Sequence, residues 1–308
     1  MTGSLIHTGQ VLVDLVMRVP SVPAVGGDVL ASATSFHPGG GFNVMAAASR
    51  AGARVVYTGG HGTGRFGDAV RAALAEEGVE AALAATPDVD TGVCVVLVDD
   101  AGERTFVTGS GAETAVDAGA LASIPVRTED IVYVSGYSLL AGGKAQVLLD
   151  FVEQLAGAML MMDPGPLVAD IDDRSLARLL SHTTVLSCNA REARLLTGLD
   201  DPRAAGPALA GRMSRGATVV LRDGARGCLL VRDGELGEVP GHEVEAVDTN
   251  GAGDAHCGVL AAELLRGADL QLAARRANIA AALAVTIPGP ATAPSRAAVD
   301  AVLLGRMC

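Results

Sequence analysis

Val247-Asp-Thr-Asn-Gly-Ala-Gly-Asp254 opens a long alanine-rich segment, and its reading decides the fold. Alanine and leucine spacing predicts a helix from about Gly251 to Arg266. At its start Gly251, Ala252 and Gly253 would point successive N–H groups at one place, reinforced by the helix dipole, so that an anion is held without any lysine. Asp254, in the first turn, would reach a hydroxyl aimed at that anion. In phosphoryl transfer these parts supply charge stabilisation and a proton acceptor. The plainer reading is a capped helix with an aspartate favouring the dipole. The density of glycine between two aspartates weighs against it.

Composition bears on the same question. The chain has 308 residues and a formal charge of −12, from 23 basic and 35 acidic side chains. Lys144 is its one lysine, and Ser138-Leu-Leu-Ala-Gly-Gly-Lys-Ala145 lacks the first glycine and the final hydroxyl of a Walker loop. Lys144 therefore reads as incidental to the chemistry. The acidic balance disfavours nucleic acid and anionic membranes as partners, because nothing neutralises a run of phosphates. Cys94, Cys188, Cys228, Cys257 and Cys308 form no C-x-x-C pair, the N-terminus has no basic signal region, and no apolar run approaches the roughly 18 residues of a membrane span. These features predict a cytoplasmic protein with reduced thiols.

Outward from the quoted stretch, short β-type runs alternate with helical ones, the pattern of a parallel sheet covered on both faces. Strands are expected at Arg54–Thr58, Ile131–Ser135, Met159–Asp163, Thr184–Ser187, Thr218–Leu221 and Cys228–Val231. Helices are expected at Phe66–Glu77, Lys144–Leu155, Asn189–Leu196 and Gln271–Thr286. Two segments break the rhythm. Val11 to Phe36 alternates polar and apolar residues around Pro23-Ala-Val-Gly-Gly27, and Gly92 to Gly109 reads as a hairpin across Asp99-Asp-Ala-Gly102. Both look like antiparallel strands outside the parallel sheet, and the two would join into one small lid.

Two further glycine clusters precede the first. Gly62-Thr-Gly-Arg-Phe-Gly67 matches the dinucleotide fingerprint, with Asp88 or Asp90 at the distance expected of a ribose-binding acid. A strand and a helix come before it, however, and a tight turn with Phe66 packed beneath is the favoured reading. Pro38-Gly-Gly-Gly-Phe-Asn43 leads into a helix from Val44 to Ala51. Its glycines either admit a ligand to the backbone or make a flexible turn with Asn43 as helix cap, and the residues alone leave both open. Asn189-Ala-Arg-Glu192 has the form of a capping box. The histidines show no metal-ligand spacing, and no G-x-S-x-G elbow is present.

Together these pieces resemble the ribokinase-like (PfkB) carbohydrate and nucleoside kinases across nearly the whole chain. Gly-Gly-Gly-Phe-Asn43 is similar to the family's first signature and Asp248-Thr-Asn-Gly-Ala-Gly-Asp254 to its second. Asn189-Ala-Arg-Glu192, Asp223-Gly-Ala-Arg-Gly227 and Ala277 to Thr286 with Pro288-Gly289 resemble its intermediate and closing segments. The resemblance implies a three-layer α/β/α fold with a mostly parallel central sheet and a small β-sheet lid. It implies one domain over residues 1–308, with the lid inserted at 11–37 and 91–110. It makes Asp254 the general base and Gly251, Ala252 and Gly253 the anion hole. Asp14, Gly40, Gly41 and Asn43 hold acceptor hydroxyls, while Asn189, Arg222, Gly224, Gly227 and Asn278 lie along ATP. Glu192 would position Mg²⁺ through water, and Asp248 a monovalent cation such as K⁺. Two copies would pair through the lid.

Departures from the family pattern are expected to matter. Gly64 stands where an aspartate is usual, Met45 where a small residue is common, His256 where phenylalanine is common, and Ala293 where a polar side chain often serves the cation. Arg222 replaces a threonine, and either supplies positive charge near the phosphates or is solvated. Asp163-Pro-Gly-Pro166 lacks an arginine that meets acidic substrates in some members, which favours a neutral sugar, with a nucleoside as the alternative. A nicotinamide-dependent oxidoreductase using Gly62 to Gly67 and a non-catalytic sugar-binding relative are the remaining rivals.

Overall fold

The computed structural model describes residues 3–140 and 142–305, so Cys308 lies outside the described residues. Thirteen strands are present among them: β1 (Ser4–His7), β2 (Val11–Arg18), β3 (Ala33–Gly40), β4 (Arg54–Tyr57), β5 (Glu80–Ala81), β6 (Val93–Val98), β7 (Arg104–Gly109), β8 (Ile131–Ser135), β9 (Met159–Asp163), β10 (Val185–Asn189), β11 (Thr218–Arg222), β12 (Gly227–Arg232) and β13 (Glu235–Pro240). Nine form one sheet in the order β13-β12-β11-β10-β9-β8-β1-β4-β5. Pairing is parallel from β5 to β11 and antiparallel from β11 to β13.

Runs such as Ile131-Val-Tyr-Val and Met159-Leu-Met-Met are apolar at every position because both faces of the sheet are covered. Leu5, Tyr57, Tyr133, Met161 and Val220 point into one core, and Ile6, Val132, Leu160, Leu186 and Leu221 into the other. Helices Phe42–Arg50, Arg65–Glu76, Ala252–Leu265 and Leu270–Ala284 cover the first face; Gly142–Glu153, Asp173–His182, Ala190–Thr197 and Pro202–Ala210 cover the second. The result is a three-layer α/β/α fold, with a separate four-stranded sheet ordered β3-β2-β6-β7.

Alanine enrichment has a packing cause. Helix Ala252–Leu265 is buried continuously from Ala255 to Glu263, and a Cβ on Gly258 would stand 2.4 Å from the Val44 carbonyl. Only small residues let helix Phe42–Arg50 come so near. At the far end, buried Glu263 gathers Arg276 at 3.0 Å and Arg296 at 3.5 Å, fastening the C-terminal helices.

Lys144 is not incidental to the fold. It is buried, and Nζ donates to the Glu113 carbonyl at 3.0 Å and more distantly to Gly9. Burial depresses its pKa to about 8 against the attraction of Glu113. The Glu113 carboxylate in turn accepts from Gly92 N and Gly111 N, at the root of the β6–β7 hairpin.

Candidate active site

Four consecutive parallel strands each end their apolar run in a polar residue at the same edge of the sheet: Ser135, Asp163, Asn189 and Arg222. Ser135 is in register with Asp163, and Asn189 with Arg222. Ligands of open α/β sheets bind beyond the carboxyl ends of the strands. Here those ends form the floor of one cleft of about 1500 Å³. The small sheet roofs it with an inward face carrying Asp14, Val16, Cys94, Val96, Arg104, Phe106 and Thr108.

The glycine loop before helix Ala252–Leu265 opens onto that cleft. Gly251 has φ +75°, and a Cβ there would collide with the Pro290 carbonyl at 1.9 Å, so glycine is required on both counts. No side chain caps this helix, which leaves its first amides to the cleft. Asp254, in its first turn, accepts from Asn43 Nδ2 at 2.9 Å through Oδ2. Burial raises the Asp254 pKa to about 6; Asn43 and Arg222 oppose the rise, and Asp163 and Glu192 add to it.

Arg222 is not solvated, which decides between the two expectations for it. Its side chain is 11% exposed and pairs with Asp163 at 2.9 Å and Glu192 at 3.4 Å. A Cβ on Gly253 would lie 2.6 Å from Arg222 Nη1, so the guanidinium rests against the backbone that opens helix Ala252–Leu265. Burial works against its charge, but Asp163, Cys257 and Glu192 hold its pKa far above the ordinary value. Three carboxylates, those of Asp163, Glu192 and Asp254, thus converge around one guanidinium.

At the other end of the cleft the residues 38–43 segment is not a flexible turn. β3 runs through Pro38 to Gly40, paired with β2, and the glycines are demanded by what lies behind them. A Cβ on Gly39 would stand 2.2 Å from Asp14 Oδ2, one on Gly40 2.8 Å from the Gln10 carbonyl, and one on Gly41 2.1 Å from His7 Cε1. Asn43 is not a helix cap either. The N-cap of helix Phe42–Arg50 is Gly41, and the Asn43 side chain crosses to Asp254. Its Oδ1 is buried without a partner. Burial raises the Asp14 pKa to about 6.

Asn189 and Glu192 form a complete capping box: Glu192 N donates to Asn189 Oδ1 at 2.9 Å, and Asn189 N to Glu192 Oε2 at 2.8 Å. Burial and Asp163 raise the Glu192 pKa, against Arg222. Gly224 and Gly227 turn the chain with φ +58° and +98°, and a Cβ on Gly227 would meet the Val239 carbonyl at 2.1 Å. Asn278 donates to the carbonyls of Val239 and Pro240, fixing the end of β13 beside the cleft. His256 is buried there as a neutral ring, its pKa lowered to about 3 by burial and then by Arg222. Asp248 and every other residue expected at the site line this same cleft.

The dinucleotide look-alike fails for a concrete reason. Asp90 accepts from Gly67 N at 2.9 Å and Phe66 N at 3.2 Å, so the chain's own carboxylate fills the start of helix Arg65–Glu76. A Cβ on Gly64 would lie 2.3 Å from that carboxylate. There is no room for a pyrophosphate.

Two cleft residues had no sequence signal. His7 accepts from Gly9 N at 3.1 Å through Nδ1, and burial with Lys144 lowers its pKa to about 3. The ring is therefore neutral with its hydrogen on Nε2, and that atom is buried without a partner. Arg104, from the small sheet, reaches Asp248. His7 ends a short buried strand that had no sequence signal, and Arg104 reads as part of a hairpin strand; only the tertiary fold brings them to the cleft.

Comparison with known proteins places this geometry. The model of the pfkB family carbohydrate kinases matches residues 3–297. The uncharacterized sugar kinase YegV of Escherichia coli is 29% identical over 296 residues, covering 95% of this chain and 92% of that protein. The crystal structure of a ribokinase from Thermotoga maritima superposes with a TM-score of 0.83 at 22% identity, over 98% of this chain and 99% of that one. Aminoimidazole riboside kinase from Salmonella enterica, complexed with aminoimidazole riboside and an ATP analog, gives a TM-score of 0.82 at 25% identity, over 97% and 100%.

Proposed function

The chain belongs to the pfkB family of carbohydrate kinases, phosphotransferases acting on hydroxyl groups, and from that premise we propose that its cleft transfers the γ-phosphate of ATP to a hydroxyl of a small neutral sugar. One observation carries the reading: a buried carboxylate with a raised pKa, Asp254, sits in the first turn of an uncapped helix inside the cleft that also holds Asp14 and Asn43.

In this reading the acceptor hydroxyl gives its proton to Asp254 as its oxygen attacks the γ-phosphorus and the bond to the β-γ bridging oxygen breaks, releasing ADP. Asn43 fixes the plane of the Asp254 carboxylate. Gly251, Ala252 and Gly253 present amides to the charge that develops, and Arg222 adds a permanent cation behind them. Asp14, the Asn43 Oδ1 and the His7 Nε2–H hold acceptor hydroxyls, since Asp14 is half-buried in the cleft and the other two atoms are buried without any partner. Gly39 and Gly41 leave room for Asp14 and His7, and Gly40 for the Gln10 carbonyl. Asn189, Gly224, Gly227 and Asn278 border the nucleotide.

A divalent cation fits the floor. Three carboxylates against one arginine leave negative charge facing a polyphosphate, and Mg²⁺ neutralises phosphate charge when bound. No cluster of three or more ligating side chains occurs among the described residues, so Glu192 and Asp163 would act through water.

A neutral acceptor is favoured because Asp14 is pushed up by burial alone, with no cation beside it to receive an anionic sugar. A nucleoside is the second reading, favoured by Phe106 and Val96 on the inner face of the small sheet, where a base would stack. We read that sheet, residues 11–37 and 91–110, as the lid of a single ribokinase-like domain. Its outer face exposes Phe36 and Val107, aligned through β2 and β6, which suits a second copy of the chain. The net charge of −12 disfavours nucleic acid and membranes, no helix among the described residues is long and apolar enough to cross a membrane, and the four described cysteines are free, as in the cytoplasm. Measuring acceptor-dependent ADP release over a panel of neutral sugars and nucleosides tests the proposal; release with no member of either class contradicts it if it never exceeds the acceptor-free rate.

A further inference from the structure

We propose that Arg104 is a positioning residue for phosphoryl transfer, which joins closure of the small sheet to the shape of the anion hole and takes the place of a monovalent cation at Asp248. The inference rests on the kinase reading of the cleft.

Arg104 begins β7 and lies on its inward face with Phe106 and Thr108. It donates through Nη2 to Asp248 Oδ1 at 2.6 Å, with the two side chains 28% and 14% exposed. The same carboxylate accepts from Asn250 N at 2.9 Å on Oδ1 and from Gly289 N at 3.1 Å on Oδ2. Three segments therefore meet on one side chain: the small sheet, the loop entering Gly251, and the loop at residues 288–290. That last loop is the one against which Gly251 packs without room for a Cβ. Moving Arg104 away with the sheet removes the cation that orients Asp248, and the anion-hole loop loses an anchor. Closure over both substrates restores it.

A monovalent cation does not fit these residues. Both oxygens of Asp248 already accept hydrogen bonds. The neighbouring carbonyls of Ala291 and Ala293 both accept from Arg50 Nη1, at 2.7 and 3.1 Å. Ala293 brings no side-chain oxygen. The Arg104 guanidinium thus holds the Asp248 oxygen that an ion would need, and Arg50 ties down the chain that follows the 288–290 loop.

The test uses the full-length protein and its Arg104→Ala and Arg104→Lys variants. Wild type is expected to transfer phosphate at rates within about twofold in KCl, NaCl and choline chloride at equal ionic strength, and its melting temperature not to depend on which salt is used. Arg104→Ala should lower kcat on the order of tenfold while acceptor-free ATP hydrolysis rises relative to transfer, and Arg104→Lys should recover most of the loss. Independently of any turnover, amides of residues 104–109 should exchange hydrogen on the order of tenfold faster in Arg104→Ala, with those of residues 131–135 unchanged. Activation or thermal stabilisation of wild type specifically by K⁺ overturns the proposal, as does unchanged exchange in Arg104→Ala. Should wild type phosphorylate no acceptor, the kinase reading fails by itself, and the exchange and melting experiments still decide whether the latch exists.

Discussion

Asp254 would be a poor proton acceptor if it behaved as a surface aspartate. Burial raises its pKa to about 6, which brings its basicity closer to working pH while keeping it ionised at neutrality. If Asp254 is the base, kcat/KM falls about tenfold per pH unit below that value, measurable as the acid limb of a pH–rate profile. The same shift has a stability consequence of opposite sense to a salt-bridged aspartate. A carboxyl whose folded pKa exceeds its unfolded value of 3.8 destabilises the fold wherever it is ionised, fully above about pH 6 and not at all below the unfolded value. Asp254→Asn should therefore be more stable than wild type at pH 8, by up to about 3 kcal/mol, and the gain should vanish near pH 4 in denaturation curves. At this scale the sequence was readable where a residue sits in a dense local motif, as Asp254 and Asn43 do. It was silent on His7, whose unpartnered Nε2 exists only because Gly9 N claims the other ring nitrogen. Arg222 was visible as a charge, but its partners come from elsewhere in the fold, Asp163 from the end of β9 and Glu192 from helix Ala190–Thr197.

Elements obey the same division. The strand runs were legible because burial on both faces leaves few polar positions before the end of each strand, and those ends became the floor of the cleft. β13 was not, since Glu235-Leu-Gly-Glu-Val-Pro240 is a largely exposed edge without clean alternation. β3 was cut short because Pro-Gly-Gly looks like a loop, yet it is the edge strand of the small sheet, where Pro38 costs little. The look-alike fingerprint at Gly62 to Gly67 misleads because the fold answers the helix dipole internally. Asp90→Ala should cost about 1 kcal/mol as a lost N-cap and, in equilibrium titration, should not create NADH binding. Glu263→Ala should be the costlier change, about 3 kcal/mol by denaturant unfolding, because it leaves the buried Arg276 with only the part-exposed Asp300 as a partner. Equal stability of that variant would mean the C-terminal helices hold without their ionic clip.

At the scale of the whole molecule, a chain of net charge −12 with a single lysine must bind a polyanion. That lysine is used at the root of the small sheet, and in the proposed kinase reading the phosphates fall to helix amides, Arg222 and a divalent cation. The single lysine and its surroundings argued against Walker-type chemistry; they did not reveal that Arg104 would pair with Asp248. The central claim is that Asp254 takes the acceptor proton in this cleft. Single-turnover phosphoryl transfer, with ATP bound beforehand and the best acceptor added, tests it most directly in Asp254→Asn. The account predicts ATP affinity close to wild type and a transfer rate lower by a factor on the order of 10² or more. A transfer rate within a few fold of wild type would contradict it.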